Sequence, residues 1–146
     1  MASAPFPDLA ETLGSLLRRP YARLQARLYE RLAAEGFPEI RSAHSAVFRH
    51  LPTEGGRLTD LATAAGMTKQ SMAYLVESLT DHGYLRIQAD PADGRAKRVV
   101  FTAKGRRCIQ AALRISQEME HEAAAKMPKG SLAELRRLLG DLNEIV

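Results

Sequence analysis

The sequence has little cysteine and no long apolar run. Its only cysteine among 146 residues is Cys108, which excludes an internal disulfide and a thiolate zinc cage. A membrane-spanning helix needs about 18 or more nearly uninterrupted apolar residues, and no such run occurs. Residues 1–13 lack the basic end and apolar block of a signal peptide. These absences predict a protein of the reducing cytoplasm, with no membrane partner.

Motifs of enzymes and metal sites are also missing. There is no Gly-x-Ser-x-Gly elbow and no phosphate-binding glycine loop. The histidines are scattered, at His44, His50, His82 and His121. Glu118 and His121 have the helical spacing of a ligand pair, and a solvated acidic face explains them better. Cys108 has only Lys104 and Arg107 nearby in sequence to activate its thiol. We therefore expect no enzyme, no metal, no cofactor and no cysteine redox sensor.

The positive charge is concentrated in the middle of the chain. The whole sequence is 45% hydrophobic and 26% charged, an ordinary globular mixture, with a net charge of +4. Residues 57–107 carry nine basic and five acidic groups, whereas the flanking segments are nearly balanced. Within 86–107, seven basic groups face two acidic ones. A local basic patch suggests a polyanionic partner, although a merely solvated surface is an equal alternative.

Periodicity predicts a mainly helical chain with one hairpin. The helices are predicted at 8–34, 42–51, 60–65, 69–81 and 103–126 and from 131 onwards, and the strands at 84–89 and 98–102. Side-chain N-caps are predicted at Asp8, Thr59, Thr68 and Thr102, and a capping box at 131–134. Pro20 should kink the first helix.

Residues 58–83 have the outline of a helix-turn-helix. A short helix and a tight turn at Gly66 lead into a second helix with two faces. Apolar side chains (Met72, Leu75, Val76 and Leu79) occupy one face, and Gln70, Ala73, Tyr74 and Glu77 the other. In a DNA major groove, Gln70 could pair with adenine, Lys69 could reach guanine or a phosphate, and Tyr74 could contact the backbone or a thymine methyl. Thr68 and Ser71 could hold a phosphate at the helix N-terminus. An ordinary amphipathic helix with a solvated outer face is the competing interpretation.

The hairpin that follows carries three cations near its turn. Arg95, Lys97 and Arg98 end the loop that begins at Asp90, and Asp93 could orient Arg95 by a charge-assisted bond. A projecting arginine suits a narrow minor groove, where negative potential is concentrated. A solvated turn with a weak surface ion pair is the alternative.

These segments together resemble a known family. The residues that carry the resemblance are Leu61-Ala62, Gly66 to Ser71, Leu75-Val76, Leu79, Asp81 to Leu85, Asp90 to Arg95 and Val99 to Gly105. They resemble the winged helix-turn-helix of the MarR (multiple antibiotic resistance regulator) family of bacterial transcription factors. The resemblance implies a mainly α fold with a small β-hairpin wing (α+β), an obligate homodimer and a pseudo-palindromic operator on double-stranded DNA. The wing has a single arginine at its tip, and Ala73 and Tyr74 replace a frequent Thr-Arg pair.

Domain organisation follows from this resemblance and from two apolar stripes. The chain 1–146 reads as one domain, with a DNA-binding core at 58–102 and dimerisation helices at 8–35 and 103–146. The stripes at 9–32 and 132–145 would stay exposed on a monomer, which favours a two-fold pair.

The expected function is that of a sequence-specific transcriptional regulator, and the resemblance favours a repressor. Many relatives bind small aromatic or phenolic effectors in a cleft beside the dimer helices. By position, Tyr21, Arg41, His44 and Phe48 could line such a cleft, although a core Phe48 and a hydrogen-bonded His44 are the simpler interpretation. The alternative function is a protein-interaction dimer that keeps the fold without binding specific DNA.

Overall fold

Six α-helices and one two-stranded antiparallel sheet make up the computed structural model, which describes residues 7–146. The helices are α1 (Leu13–Ala34), α2 (Ser45–His50), α3 (Leu58–Ala64), α4 (Lys69–Asp81), α5 (Ala103–Lys126) and α6 (Ser131–Ile145). The strands are β1 (Leu85–Ala89) and β2 (Lys97–Phe101), and short 3-10 helices span Pro7–Glu11 and Ser42–His44. This architecture confirms the predicted mainly α fold with a small hairpin wing.

The first helix differs from its prediction at the N-terminus. It begins at Leu13 rather than at residue 8, because the Thr12 hydroxyl accepts the Ser15 N–H at 3.4 Å and caps the helix. The preceding residues Pro7–Glu11 form a separate 3-10 turn. Pro20 lies inside α1, which continues through it to Ala34. The predicted second helix is divided, since its first turn is the 3-10 helix Ser42–His44.

Some of the predicted helix N-caps are confirmed and others are wrong. Thr68 accepts the Ser71 N–H at 3.1 Å and Thr102 accepts the Gly105 N–H at 3.1 Å, as predicted. The Thr59 cap was wrong, because α3 begins at Leu58 and Thr59 lies within it. The capping box at 131–134 was also wrong. The N-cap of α6 is Gly130 with φ +82°, and Ser131 is already helical.

The winged module is built around a continuous apolar core. In β1 and β2, Leu85 pairs with Phe101 and Ile87 with Val99. The inward face of α4 is fully buried, as its pattern predicted: Met72, Leu75, Val76 and Leu79 are at most 7% exposed. This packing fixes the outward face of α4 relative to the wing.

Tyr84 joins the wing to the rest of the molecule. Its ring is fully buried, and its hydroxyl donates to a Glu39 carboxylate oxygen at 2.6 Å. The Lys104 ammonium lies 4.3 Å from the ring centroid and also donates to the His82 carbonyl. The start of α5 is thereby tied to the root of the wing.

The outer faces of α1 and α6 remain apolar and exposed. Leucines at positions 13, 16, 17, 24, 135, 138 and 139 are between 37% and 56% exposed. Six of these leucines line a groove between α1 and α6, together with Gly14, Arg18, Pro20 and Tyr21. Within residues 7–146, no helix combines the length and apolarity that crossing a membrane requires.

Candidate nucleic-acid interface and ligand cleft

The N-terminal half of α4 presents polar side chains to solvent. Lys69, Gln70 and Ser71 are exposed, and Tyr74 is 72% exposed although it is a large aromatic residue. Ala73 is only partly exposed, at the edge of a groove that faces the wing. The opposite face of the same helix is core. This arrangement leaves the face predicted for base contacts open.

The first turn of α4 is organised by two hydroxyl groups. Thr68 donates to the Ser71 hydroxyl oxygen at 2.9 Å while it accepts the Ser71 amide. The N–H groups of Lys69 and Gln70 lie at the start of the helix, where no intrahelical acceptor exists. The positive end of α4 therefore faces solvent beside a lysine, which is an arrangement suited to a phosphate.

The wing tip is an ordered turn with one projecting cation. Asp93 accepts the backbone N–H of Arg95 at 3.1 Å, so it shapes the turn rather than orienting the Arg95 guanidinium as predicted. Arg95 is exposed, and Lys97 is exposed in the first position of β2. The wing therefore offers two outward cations beside the face of α4.

Arg98 does not project from the loop. It lies in β2 opposite Gln88, and its guanidinium donates to the Gly55 carbonyl at 2.6 Å. It also lies 3.9 Å from the Asp90 carboxylate. The prediction that Arg98 ends the wing loop was wrong, because Arg98 lies within β2 and its side chain is held against the loop before α3.

A buried carboxylate at the base of the wing was missed by sequence reasoning. Asp90 is 3% exposed and accepts the Arg57 guanidinium at 2.9 Å and the Ala92 N–H at 2.9 Å. The Ala92 N–H, followed by the Arg57 guanidinium, lowers the pKa of Asp90 below its ordinary 3.8. Arg57 and Asp90 are 33 positions apart, so no local pattern marks the pair.

Two neighbouring cavities lie along α1, the inner one between α1, α2 and α5 and the outer one between α1 and the residues from Pro38 to Ser45. The inner one, about 260 Å³, is largely apolar and is lined by Leu28, Leu32, Phe48 and Ile109 among others. The outer one, about 610 Å³, includes Tyr21, Arg41 and Ser42. Both share Gln25, Tyr29, Ile40 and Ser45, so they form one cleft with two compartments.

The cleft contains a cation that the sequence reasoning did not single out. Arg49 lines the inner compartment, donates to the Tyr21 hydroxyl at 2.9 Å and lies 6.0 Å from the Tyr21 ring centroid. Arg49 directly follows Phe48 and lies one helical turn after Ser45, so its position in the sequence could have suggested that it lines the cleft. The cleft therefore combines apolar walls with guanidinium groups from Arg41 and Arg49.

His44 does not line either compartment. It is 5% exposed, its Nδ1 accepts the Arg41 N–H at 3.0 Å, and its Nε2 lies 3.2 Å from the Ser78 hydroxyl oxygen. Phe48 stacks on Phe101 at 6.2 Å between ring centroids and also faces the inner compartment. Of the four predicted cleft residues, the structure places Tyr21, Arg41 and Phe48 in the cleft walls and His44 behind them.

Cys108 is a buried wall residue of the inner compartment. It is 2% exposed, and burial raises the pKa of its thiol to about 11 despite the nearby Lys104. A thiol that stays protonated at neutral pH is a poor nucleophile.

The fold and the exposed surface together are those of a winged-helix module. The comparisons with known proteins find similarity to transcriptional regulators with this fold. The MarR family model matches residues 44–96. The transcriptional regulator HosA of Escherichia coli O111:H- is 29% identical over 91 residues, which cover 62% of this chain and 67% of that protein. A probable transcriptional regulator from Pseudomonas aeruginosa has a TM-score of 0.67 at 26% identity and covers 92% of this chain and 98% of its own.

Another similar structure is that of CouR. The CouR repressor bound to a 23-mer DNA duplex has a TM-score of 0.70 at 19% identity, with 97% and 99% of the two chains covered. CouR from Rhodococcus jostii RHA1 bound to p-coumaroyl-CoA has a TM-score of 0.66 at 22% identity, with 92% and 93% covered. The chain is therefore similar to MarR family transcriptional regulators, in sequence over residues 44–96 and in fold over most of its length.

Proposed function

We propose that this regulator is a homodimeric repressor that binds a pseudo-palindromic operator and is released by a small aromatic acid. The observation that carries the proposal is the open polar face of α4, with Gln70 and Tyr74 exposed, beside the projecting Arg95 of the wing. One protomer therefore offers a major-groove helix and a minor-groove cation on one side of the molecule.

The residues divide by the part of the duplex that each would contact. Gln70 reads a base edge, and Lys69 reaches a guanine or a phosphate. Thr68 and Ser71 hold a phosphate at the N-terminus of α4, and Tyr74 packs on the backbone or a thymine methyl. Asp93 keeps the wing turn in shape for Arg95. Lys97 contacts a phosphate.

A second copy of this chain is proposed to cover the apolar faces of α1 and α6. Single exposed leucines are normal on a surface, but a continuous apolar groove marks an interaction site. The groove is lined by Leu13, Leu16, Leu17, Leu135 and Leu139. A two-fold pair buries the same groove in both protomers and sets two α4 helices about one DNA turn apart.

The two-compartment cleft is proposed to bind the effector. Its apolar inner part accepts a planar aromatic ring, and Arg41 and Arg49 attract the acid group. CouR, which shares the fold, has been crystallised with p-coumaroyl-CoA, a ligand with an aromatic acyl group. An effector that prefers a dimer with altered spacing between the α4 helices lowers operator affinity, by at most its preference for that state.

DNA binding is tested with a duplex selected from a random pool by the protein at pH 7.5. Two subunits that each neutralise about four phosphates predict an affinity loss of roughly 10³ to 10⁵ between about 50 and 200 mM salt. Footprinting should show protection of about 16 to 20 base pairs with two-fold symmetry. Salt-insensitive binding, or no sequence preference in the selected pool, would favour the protein-interaction dimer instead.

Effector release is tested with p-coumarate and its uncharged amide as the control. The acid should dissociate the protein–DNA complex, and the amide should do so less well because it cannot pair with Arg41 and Arg49. An Arg49→Gln variant should bind DNA normally and respond weakly to the acid. Equal responses to acid and amide would show that the cleft does not select a carboxylate.

A further inference from the structure

A buried imidazole links the cleft to the DNA-contacting helix. His44 ends the 3-10 helix Ser42–His44, and with Asp90 it is one of two buried polar or charged side chains among residues 9–146. Asp90 belongs to the wing and is paired with arginines. Within that same range His44 forms no ion pair, and the proposed function leaves it without a role.

The two hydrogen bonds of His44 define its protonation state. The Arg41 backbone N–H donates to Nδ1 at 3.0 Å, so Nδ1 carries no proton. The proton of the neutral ring then sits on Nε2, which donates to the Ser78 hydroxyl oxygen at 3.2 Å. The His44 ring can form both hydrogen bonds, and so bridge Arg41 and Ser78, only while it is uncharged.

The bridge connects two functional surfaces. Arg41, Ser42 and Ser45 line the outer compartment of the cleft. Ser78 lies on α4, eight positions after Gln70, which is about 12 Å along the helix. Through its two hydrogen bonds, His44 therefore connects the rim of the cleft to the helix that carries the proposed base contacts.

Protonation works against this bridge in two ways. A proton on Nδ1 faces the Arg41 N–H, so an accepted hydrogen bond becomes a contact between two donors. The ring also acquires a charge in a site that is 5% exposed. The charged or titratable groups that act on it are Arg41, from its own segment, and His82, at the end of α4. Burial first, and then these two groups, lower the pKa of His44 below its ordinary 6.5.

We propose that His44 makes operator binding sensitive to acid: protonation at Nδ1 breaks the bond to Arg41, releases the cleft rim from α4 and weakens binding to DNA. This inference rests on the proposed DNA-binding function. Its direction is opposite to that of a general charge effect. Any positive charge that a protein gains on acidification strengthens its binding to a polyanion.

The test compares the wild type with His44→Gln. A glutamine can accept from the Arg41 N–H through its oxygen and donate to Ser78 through its nitrogen, but it does not titrate. Fluorescence anisotropy with the selected duplex, at constant ionic strength, measures affinity from about pH 7.5 down to about pH 5.5. The wild type should lose about fivefold or more in affinity. A fivefold loss corresponds to a difference of less than about one unit between the pKa of His44 in the free protein and in the DNA complex. His44→Gln should lose none.

His121→Gln is the matched control, because it removes an exposed histidine on α5 and leaves the bridge intact. It should keep the acid-induced loss. Equal pH profiles for wild type and His44→Gln, or affinity that rises steadily with acid in the wild type, would overturn the proposal. Binding that is absent already at pH 7.5 contradicts the proposed function as well. Binding at pH 7.5 that acid does not weaken contradicts this inference alone.

A second measurement does not depend on DNA. Hydrogen exchange followed by NMR reports the protection of the Arg41 amide, which acid should reduce in the wild type but not in His44→Gln. If His44→Gln does not fold, Ser78→Ala replaces it. That variant keeps the bond from Arg41 to Nδ1 but loses the link to α4. The Arg41 amide should still respond to acid, and DNA affinity should respond less. An Arg41 amide that stays protected at about pH 5.5 in the wild type contradicts the proposal.

Discussion

Among single residues, the arginines of the winged module have separate roles although they are close in sequence. Arg95 is exposed at the tip, whereas Arg98 donates to the Gly55 carbonyl and Arg57 to Asp90. An arginine that already holds a carbonyl or a carboxylate has fewer free donors for a phosphate. We therefore expect DNA contact from Arg95 and support of the wing from Arg57 and Arg98.

Replacing Arg95 with alanine should weaken operator binding by about 1–3 kcal/mol, chiefly for duplexes with AT-rich flanks. The reason is the loss of a cation from the narrow minor groove, and the measurement is a titration with flank variants of the selected duplex. Lys129→Ala removes a positive charge from the exposed turn between α5 and α6 and is the control. Unchanged affinity and flank preference for Arg95→Ala would remove the wing from the interface.

The Asp90 carboxylate should make the wing acid-labile. Its pKa is lowered in the folded protein, so its contribution to stability is complete above about pH 3.8 and is lost as the pH falls below that value. Asp90→Asn should therefore lower the melting temperature at neutral pH and flatten its decline below pH 3.8. Asp93→Asn, at an exposed position, should change neither. An Asp90→Asn melting curve that matches the wild type at neutral pH would show that the pairing with Arg57 contributes nothing to stability.

At the scale of elements, the junction between the wing and α5 depends on a close backbone approach. Gly105 is buried in the first turn of α5, and a Cβ there would overlap the Tyr84 carbonyl oxygen. The Thr102 side chain accepts the Gly105 N–H and donates to the Gly83 carbonyl at 2.5 Å. The helix therefore begins against the chain that leads into β1.

Gly105→Ala should destabilise the protein by about 1–3 kcal/mol because the new methyl group meets backbone rather than a movable side chain. Gly140→Ala is the matched control. That glycine lies inside α6, and a Cβ added there would have no described atom of a neighbouring group within 4 Å, so alanine should stabilise by about 0.5–1 kcal/mol. Denaturant unfolding measures both free energies. Similar effects of the two substitutions would mean that α5 can shift away from Tyr84 without cost.

For the whole molecule, the apolar faces of α1 and α6 are the feature that a single chain leaves uncovered. Leu135→Glu should place a charge in the proposed two-fold interface, convert the protein to monomers and abolish tight operator binding. Analytical ultracentrifugation measures the mass. Arg137→Ala alters a residue of the same helix that pairs with Glu134 and Asp141, and should leave the mass unchanged. A wild type that sediments as a monomer would contradict the proposed dimer.

The sequence predicted the elements that depend on interactions between residues close together in the chain. The buried face of α4, the hairpin and the Thr68 and Thr102 caps were predicted correctly, because each depends on residues close together in the chain. Errors arose where two local signals competed. Ser131 and Glu134 match a capping box, but Gly130 with a positive φ takes the cap. Thr59 could cap a helix, but the helix begins one residue earlier.

The sequence by itself determined which segments are helical, where the wing turns and which face of α4 is polar, since periodicity and caps act over a few residues. Only the tertiary structure decided the partners of Asp90, Arg98 and His44. Arg57 and Asp90 are 33 positions apart, and His44 and Ser78 are 34 apart. A hydrogen bond between such distant groups requires that folding first bring their elements together. The cleft, for the same reason, has walls from α1, α2 and α5 that no segment of sequence contains together.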